Sequence, residues 1–283
     1  MSAVMGHNRY GKDGIRLVLV RRGEGPHRSD VLRDLTVDVR LEGAFDRVHT
    51  DADNSPVLPT DTMRSTVYAL AQQHLTGPLE DFGAALAGRF LDVSPACTLA
   101  EVRLREHGWA PLVGDAHAFV GGSAECATAL VTRRRTGPAD TRSGFSGLLL
   151  LKTTGSAFSG FLRDELTVLA ETDDRILATE VTAEWGYLAG STPAYDVARS
   201  AVRAAMVSTF AVHESRSVQH TLHAMGEASL AACEELDAVT LQLPNKHHVL
   251  VDLAPFGLSN DRAVYVATDR PFGVIEGEVR RSG

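Results

Sequence analysis

The chain lacks the usual signs of a disulfide, zinc or nucleic-acid-binding protein. Its three cysteines, Cys97, Cys126 and Cys233, are far apart and without the short paired spacings of a structural zinc site or a redox pair. We predict buried free thiols in a reducing compartment. The formal net charge of −8 offers no broad basic surface for a phosphate backbone, so nucleic acid is not expected as a partner.

Long apolar runs are missing as well. No stretch approaches the roughly 20 residues of a membrane-spanning helix, so no membrane partner is expected. The N-terminal MSAVMGHNRYGKDG has no apolar core of signal-peptide length, and the terminal RRSG is not a peroxisomal or ER address. We therefore expect a cytoplasmic protein. The apolar fraction of 44% is typical of globular proteins, and the length of 283 residues suggests about two domains.

One order of elements is predicted twice. IRLVLVRR from Ile15 and LTVDVRLEG from Leu35 alternate with a period of two, and a link with Gly, Pro and Ser joins them. The further segments of this half are helices at 60–74 and 79–91 and strands at 98–113 and 117–134. The segments of the second half are strands at 146–154 and 176–188, helices at 194–213 and 217–235, and strands at 238–253 and 263–279.

Both halves therefore read ββααββ, which predicts an α+β fold with a domain at 1–140 and another at 141–283. Strands adjacent in sequence can pair antiparallel, and the two helices can cover one face of each sheet. The other face still needs cover. An oligomer that closes the sheets into a barrel would supply it and would remove exposed strand edges.

Polar residues interrupt the strand LQLPNKHHVLVDL at 241–253. Asn245 and His247 share the parity of the apolar Leu241 and Leu243, so this strand either runs out of the core into a cavity or ends there, with Pro244 marking a bulge or an edge.

Arg175 and Gln219 are further candidates for ligand binding. Arg175 could clamp a planar anion with its fork of donors, or form a salt bridge with the preceding Asp173 and Asp174. Gln219 lies at the start of a helix, where free N–H groups bind acceptors, although most such residues are ordinary first-turn residues.

Lys12, Thr60 and Phe158 each have two interpretations. Lys12 is either a surface residue or a desolvated base. The hydroxyl of Thr60 either caps the helix at 60–74 or passes a proton between two better acids. Phe158 belongs either to the core or to a site where its ring faces a flat ligand.

Six motifs, in order between Tyr10 and Glu276, resemble the urate oxidase (uricase) family. They are YGK at 10–12, DNS…TDT at 53–62, FSGFLRDE at 158–165, ETDDRILATEV at 171–181, SVQ at 217–219 and PNKHH at 244–248. The resemblance implies a tunnelling fold (T-fold), with two ββααββ modules per chain and four chains around a central tunnel. It implies oxidation of urate by O2 and water to 5-hydroxyisourate and hydrogen peroxide, with no metal or organic cofactor.

The resemblance also implies a role for each matching residue in substrate binding. Arg175 and Gln219 would grip the purine anion by its edge, and Phe158 would stack beneath it. The main-chain N–H of Val218 would be a further donor, and Asn245 would help hold O2 or water above the ring.

The implied proton relay is Lys12, Thr60 and His247, with Thr60 and Asp61 against the far edge of the substrate. In the family, Lys12 and Thr60 come from a neighbouring chain, which implies a homotetramer with sites at subunit interfaces. One departure is Pro59, which stands where a small residue is expected before Thr60. The alternatives to a urate oxidase are another purine- or pterin-handling enzyme of this fold, typically with zinc, or a purine-binding protein without turnover.

Overall fold

The computed structural model describes residues 3–23, 30–112, 117–268 and 270–282. The chain forms two compact units, Met1–Phe145 and Ser146–Gly283. The predicted link between the first two strands, at 24–29, and the terminal residues 1–2 and 283 lie outside the described residues.

The first unit is an antiparallel sheet with helices. Its elements are β1 (Arg9–Arg21), β2 (Val31–Gly43), α1 (Asp46–Thr50), α2 (Thr60–His74), α3 (Leu79–Val93), β3 (Cys97–Pro111) and β4 (Phe119–Arg134). The strands pair antiparallel in the order β1-β2-β3-β4. The register of β1 against β2 shifts between Lys12 and Ile15.

Alternating side chains form the core of this unit. In β2, Leu35, Val37, Val39 and Leu41 occupy every second position and are fully buried. The helices present matching stripes, with Met63, Val67 and Ala71 buried in α2 and Phe82, Leu86 and Phe90 buried in α3. Each fully buried Val, Leu, Met or Phe side chain contributes about 1.5–3 kcal/mol of transfer free energy, so packing of the helices on this face stabilises the sheet.

The second unit repeats the arrangement and adds a small hairpin. Its elements are β5 (Asp140–Lys152, which begins before the boundary), β6 (Leu177–Tyr187), α4 (Tyr195–Val212), α5 (Val218–Ala232), β7 (Leu236–Lys246), β8 (His248–Leu250), a 3₁₀ turn (Ala254–Phe256), β9 (Tyr265–Ala267) and β10 (Gly273–Arg280). The strand order is β5-β6-β7-β10, with β7 paired antiparallel to both neighbours. Strands β8 and β9 pair only with each other among the described residues.

The predicted ββααββ order is confirmed in both halves. The helices of the second half bury apolar stripes, Val202-Met206-Phe210 in α4 and Val218-Leu222-Met225 in α5. The two predicted strands at 238–253 and 263–279 were too long. The first breaks at His247 and the second between β9 and β10, where Pro271 has no N–H to give to a ladder. The five-residue α1 is too short to show a helical period and was not predicted.

The cysteines are free, as predicted, but only Cys97 is buried, whereas Cys126 and Cys233 are half-buried. The prediction of buried thiols is therefore wrong for two of the three, because β4 and the end of α5 place them near the surface. Within the described residues, no helix is long and apolar enough to cross a membrane.

Candidate active site

The N-terminus of α5 presents backbone donors that have no partner within the helix. Ser217 caps the helix in an extended conformation, and its Oγ accepts from the N–H of His220 at 3.0 Å. Its carbonyl accepts from the N–H of Thr221 at 3.1 Å. The N–H groups of Val218 and Gln219 precede the first helical hydrogen bond and have no intrahelical partner, so they are available to an acceptor outside the helix.

A backbone network holds three further segments against this helix start. The N–H of Ser215 donates to the carbonyl of Gly155 at 3.0 Å, and the N–H of Ala157 donates back to Ser215 at 2.7 Å. The carbonyl of Ser156 accepts from the N–H of Arg175 at 2.7 Å. The network therefore brings Arg175 and the residues beside Phe158 to the start of α5, although these lie far apart in sequence.

Arg175 is a half-buried cation without a carboxylate partner among the described residues. Its Nε is buried and makes no hydrogen bond, and burial lowers the pKa of the guanidinium below its usual value. Asp173 and Asp174 instead face Arg262, at 3.6 and 3.9 Å. The alternative of a local salt bridge is wrong, because Arg262 and the Thr154 hydroxyl, at 2.8 Å from Asp174, take these carboxylates.

Phe158 lies beside this cation and outside the core. Its backbone exchanges hydrogen bonds with Thr172 at 2.8 and 3.0 Å, which fixes the strand-like segment that carries the ring. The guanidinium carbon of Arg175 lies 5.2 Å from the ring centroid, and Phe161 stacks on the ring at 4.9 Å with an interplanar angle of 14°. The ring is half-buried, so the core interpretation is wrong.

Asn245 and His247 lie at the end of an interior strand. Asn245 pairs with Thr179 of β6 and with Gly273 of β10, and no register shift occurs at Pro244. Pro244 therefore marks neither an edge nor a bulge, so this part of the alternative is wrong, whereas the strand does end here, at Lys246. His247 directly follows β7, and its carbonyl accepts from the N–H of Thr268 at 3.0 Å. Asn245 and His247 are both half-buried, on the parity of the buried Leu243.

The remaining predicted residues, Lys12, Thr60 and Asp61, lie in the first unit. Lys12 is half-buried in β1 beside the register shift. The hydroxyl of Tyr10 accepts from the N–H of Leu58 at 2.8 Å, which ties the approach to Thr60 to β1. Asp61 is exposed and pairs with Arg64 at 2.6 Å.

Thr60 is the first residue of α2 and does not cap it, so the capping interpretation is wrong. The N-cap is Pro59, with φ −55 and ψ 138, and its carbonyl accepts from the N–H of Met63 at 3.2 Å. Proline suits this position because its ring fixes φ at about −65°, close to the φ of −55° that Pro59 adopts. No side-chain hydrogen bond caps the start of α2, so the Thr60 hydroxyl is not committed to capping.

Two residues that organise the site, Ser156 and Ser215, were not predicted from the sequence. Their contribution is made by the backbone, and only the small residues before Phe158 hinted at a close approach. Across the described ranges, no group of three or more His, Cys, Asp or Glu side chains could hold a metal ion.

The second unit therefore places a cation, an aromatic ring, N–H donors without an intrahelical partner and a polar strand end within one fold unit, an arrangement suited to a flat anion.

The family profile described as "Uricase" matches residues 8–132 and 141–276. The chain is 39% identical to the uricase of Arthrobacter globiformis over 99% of this chain and 91% of that protein, and 36% identical to that of Aspergillus flavus over 100% and 98%. It is also similar to the crystal structure of the Arthrobacter globiformis uricase, with a TM-score of 0.93 and 37% identity over 100% of this chain and 96% of that one.

Proposed function

The chain belongs to the uricase family and is a urate oxidase, and from that premise we propose how its own residues carry the reaction. The overall reaction is urate + O2 + H2O → 5-hydroxyisourate + H2O2, in which urate gives up two electrons and dioxygen accepts them. The observation that carries the assignment of residues is the backbone network of Ser156 and Ser215, which sets Arg175 and Phe158 against the open start of α5.

The second unit supplies the substrate grip. Arg175 donates two parallel hydrogen bonds to one edge of the urate anion, and its charge offsets the substrate charge. The side-chain amide of Gln219 and the N–H of Val218 bind the same molecule from the start of α5. Phe158 stacks against the flat ring. The buried, unpaired Nε of Arg175 supports this role, because a ligand acceptor would remove the cost of leaving that donor unsatisfied.

The first unit supplies the base. Triplet dioxygen does not react in a two-electron step with a closed-shell molecule, so urate must first become electron-rich enough to release one electron. Lys12 removes a proton from urate through the hydroxyl of Thr60, and His247 completes the relay. Asp61 lies with Thr60 at the far edge of the substrate, and Asn245 holds O2 or water above the ring. The absence of a side-chain cap at the start of α2 supports this, since the Thr60 hydroxyl is not committed to capping the helix.

The substrate itself is the source of electrons, and we propose that the enzyme uses no metal or organic cofactor, only O2 as co-substrate. We assign Lys12 and Thr60 to a module at 1–140 and the substrate grip to a module at 141–283.

We also propose that the protein is located in the cytoplasm, which cell fractionation would test.

We further propose a homotetramer in which a neighbouring chain contributes Lys12 and Thr60 to each site. Large apolar side chains are exposed on strands of both units, with Val18 60% exposed in β1 and Leu149 62% exposed in β5. In the loop after Phe158, Leu162 and Val168 are 95% and 96% exposed. Surfaces of this kind mark protein contacts. Light scattering would test the assembly, and a fully active monomer would contradict it.

One assay tests the function and both alternatives. The loss of urate absorbance, the consumption of O2 and the formation of peroxide are followed together, in air and under argon, with and without chelator. We expect urate to disappear in air only, with one peroxide per urate. Persistence of urate in air would contradict a urate oxidase and favour a binding protein, and loss of turnover in chelator would favour a zinc-dependent relative.

A further inference from the structure

The hydroxyl of Thr179, in β6, is buried and has no partner. Thr179 is 1% exposed, and its Oγ1 makes no hydrogen bond. A buried hydroxyl left unpaired costs about 1–3 kcal/mol, and valine has the same shape and equal preference for a strand. Stability alone would therefore favour valine at this position.

Other buried hydroxyls show that the fold normally satisfies such groups. Ser229 donates to the carbonyl of Met225 at 2.7 Å, and Thr221 donates to the hydroxyl of Ser215 at 2.8 Å. Among the described residues, the buried hydroxyls without a partner are those of Ser94, at the end of α3, and of Ser156 and Thr179. Of these three, Thr179 is the one that lies across a strand ladder from a proposed site residue.

Thr179 lies directly opposite Asn245 across the β6-β7 ladder. Directly opposed residues have Cβ atoms about 4.5–5.5 Å apart and face the same side of the sheet, within reach of a hydrogen bond between short polar side chains. On the other flank Asn245 faces Gly273, which has no side chain. Further along the ladder, this face is occupied by pairs of buried apolar residues such as Trp185 with Val239. Thr179 and Asn245 therefore form a polar pair at the edge of the apolar face of this sheet.

We propose that Thr179 is a positioning residue for Asn245. The hydroxyl is unpaired in the free enzyme. In the substrate complex it donates to Oδ1 of the carboxamide, directly or through one water, so that the amide NH2 faces the place where O2 or water is held. Without this contact the two ends of the amide would have equal access to that place, since an amide turned over has nearly the same shape. The inference rests on the proposed role of Asn245.

The test compares Thr179→Val, which removes only the hydroxyl, with Thr179→Ser, which retains it. The matched control is Thr182→Val, on the exposed side of the same strand. We expect Thr179→Val to lower kcat/KM for O2 by about fivefold, the effect of one hydrogen bond, and to leave the KM for urate unchanged. Thr179→Ser and Thr182→Val should retain the activity of the parent enzyme.

Thermal unfolding separates positioning from packing. Because the hydroxyl is unpaired in the free enzyme, Thr179→Val should unfold at the same or a higher temperature while losing activity. A parallel fall in stability and activity, with no rescue by serine, would overturn the inference. Unchanged O2 kinetics in Thr179→Val would overturn it as well.

Asn245→Ala, measured in parallel, separates this inference from the proposed function. If Asn245→Ala lowers kcat/KM for O2 and Thr179→Val does not, the role of Asn245 stands and that of Thr179 fails. If Asn245→Ala leaves O2 kinetics unchanged, both fail. In the Asn245→Ala background, Thr179→Val should add no further loss, because its only partner in the reaction is gone, and an additive loss would contradict the proposal.

Discussion

Replacing Arg175 by lysine tests whether the second unit grips an anion by a planar fork. Lysine keeps the positive charge as a point on a flexible stem but lacks the two parallel donors of a guanidinium. The site gives Arg175 no carboxylate among the described residues, and its Nε is buried without a partner. The donors are therefore free for a ligand, and the substitution should act on urate binding.

The size of the effect follows from the number of hydrogen bonds lost. A hydrogen bond to a charged group contributes about 1.5–3 kcal/mol, and about 1.4 kcal/mol corresponds to a factor of ten in affinity. Arg175→Lys loses one of two such bonds, so the Kd for urate should rise about 10- to 150-fold. Arg175→Ala loses both bonds and the charge, so its Kd should rise at least about 150-fold by the same estimate.

Binding is measured by equilibrium dialysis of urate under argon, where no turnover occurs, and kcat is measured in air at saturating urate. The matched control is Arg262→Lys. Arg262 is 60% exposed and pairs with Asp173 and Asp174 at 3.6 and 3.9 Å, and exposed pairs of this kind contribute little. Its substitution should leave urate binding unchanged.

A Kd for Arg175→Lys within about threefold of the parent value, well below the loss of one charged hydrogen bond, would refute the bidentate grip. Equal effects of Arg175→Lys and Arg262→Lys would refute it too, because the loss would then not depend on a guanidinium in contact with the substrate. A fall in kcat without a change in Kd would assign Arg175 to the chemical step instead.

Three further predictions concern the base, the packing and the cofactor. Lys12→Ala should lower kcat by about 10²–10⁴-fold and change the Kd for urate little, because a general base acts in the transition state; a larger effect on Kd than on kcat would contradict the relay. Gly226→Ala should lower the free energy of unfolding by about 1–3 kcal/mol in denaturant titrations, because the new Cβ would clash with the side chain of Val279; Gly186→Ala, with nothing within 4 Å, is its control. Dialysis against chelator should leave turnover unchanged, and a loss restored by zinc would contradict cofactor-free oxidation.

The fold was predictable because its signals are local. A period of two in β2 and stripes such as Val202-Met206-Phe210 in α4 are set by neighbouring residues in the chain, and the structure buries these side chains. The breaks within the last two predicted strands were not predictable in this way. The apolar runs before and after the polar residues at 245–248 predict one continuous strand. The break depends on the hairpin of β8 and β9, whose contacts are made across many intervening residues.

The site residues were less predictable one at a time. Thr60 follows the pattern of a capping residue, yet Pro59 takes the N-cap position, because the two assignments differ by one residue that local sequence does not fix. Phe158 looks like a core residue, but its position depends on the backbone hydrogen bonds with Thr172. Only the six motifs taken together favour the site interpretation of these residues over the structural one.

Arg175 shows why the neighbouring residues in sequence do not decide between the two alternatives. Two aspartates precede it, and the nearest charges in sequence predict a salt bridge. In the fold, Arg262 and Thr154 occupy those carboxylates, while the carbonyl of Ser156 holds the backbone of Arg175 in place. A cation becomes available to a substrate only when its competitors are paired elsewhere. The residues next to Arg175 in sequence are therefore its potential ion-pair partners, but residues far along the chain determine whether they pair with it.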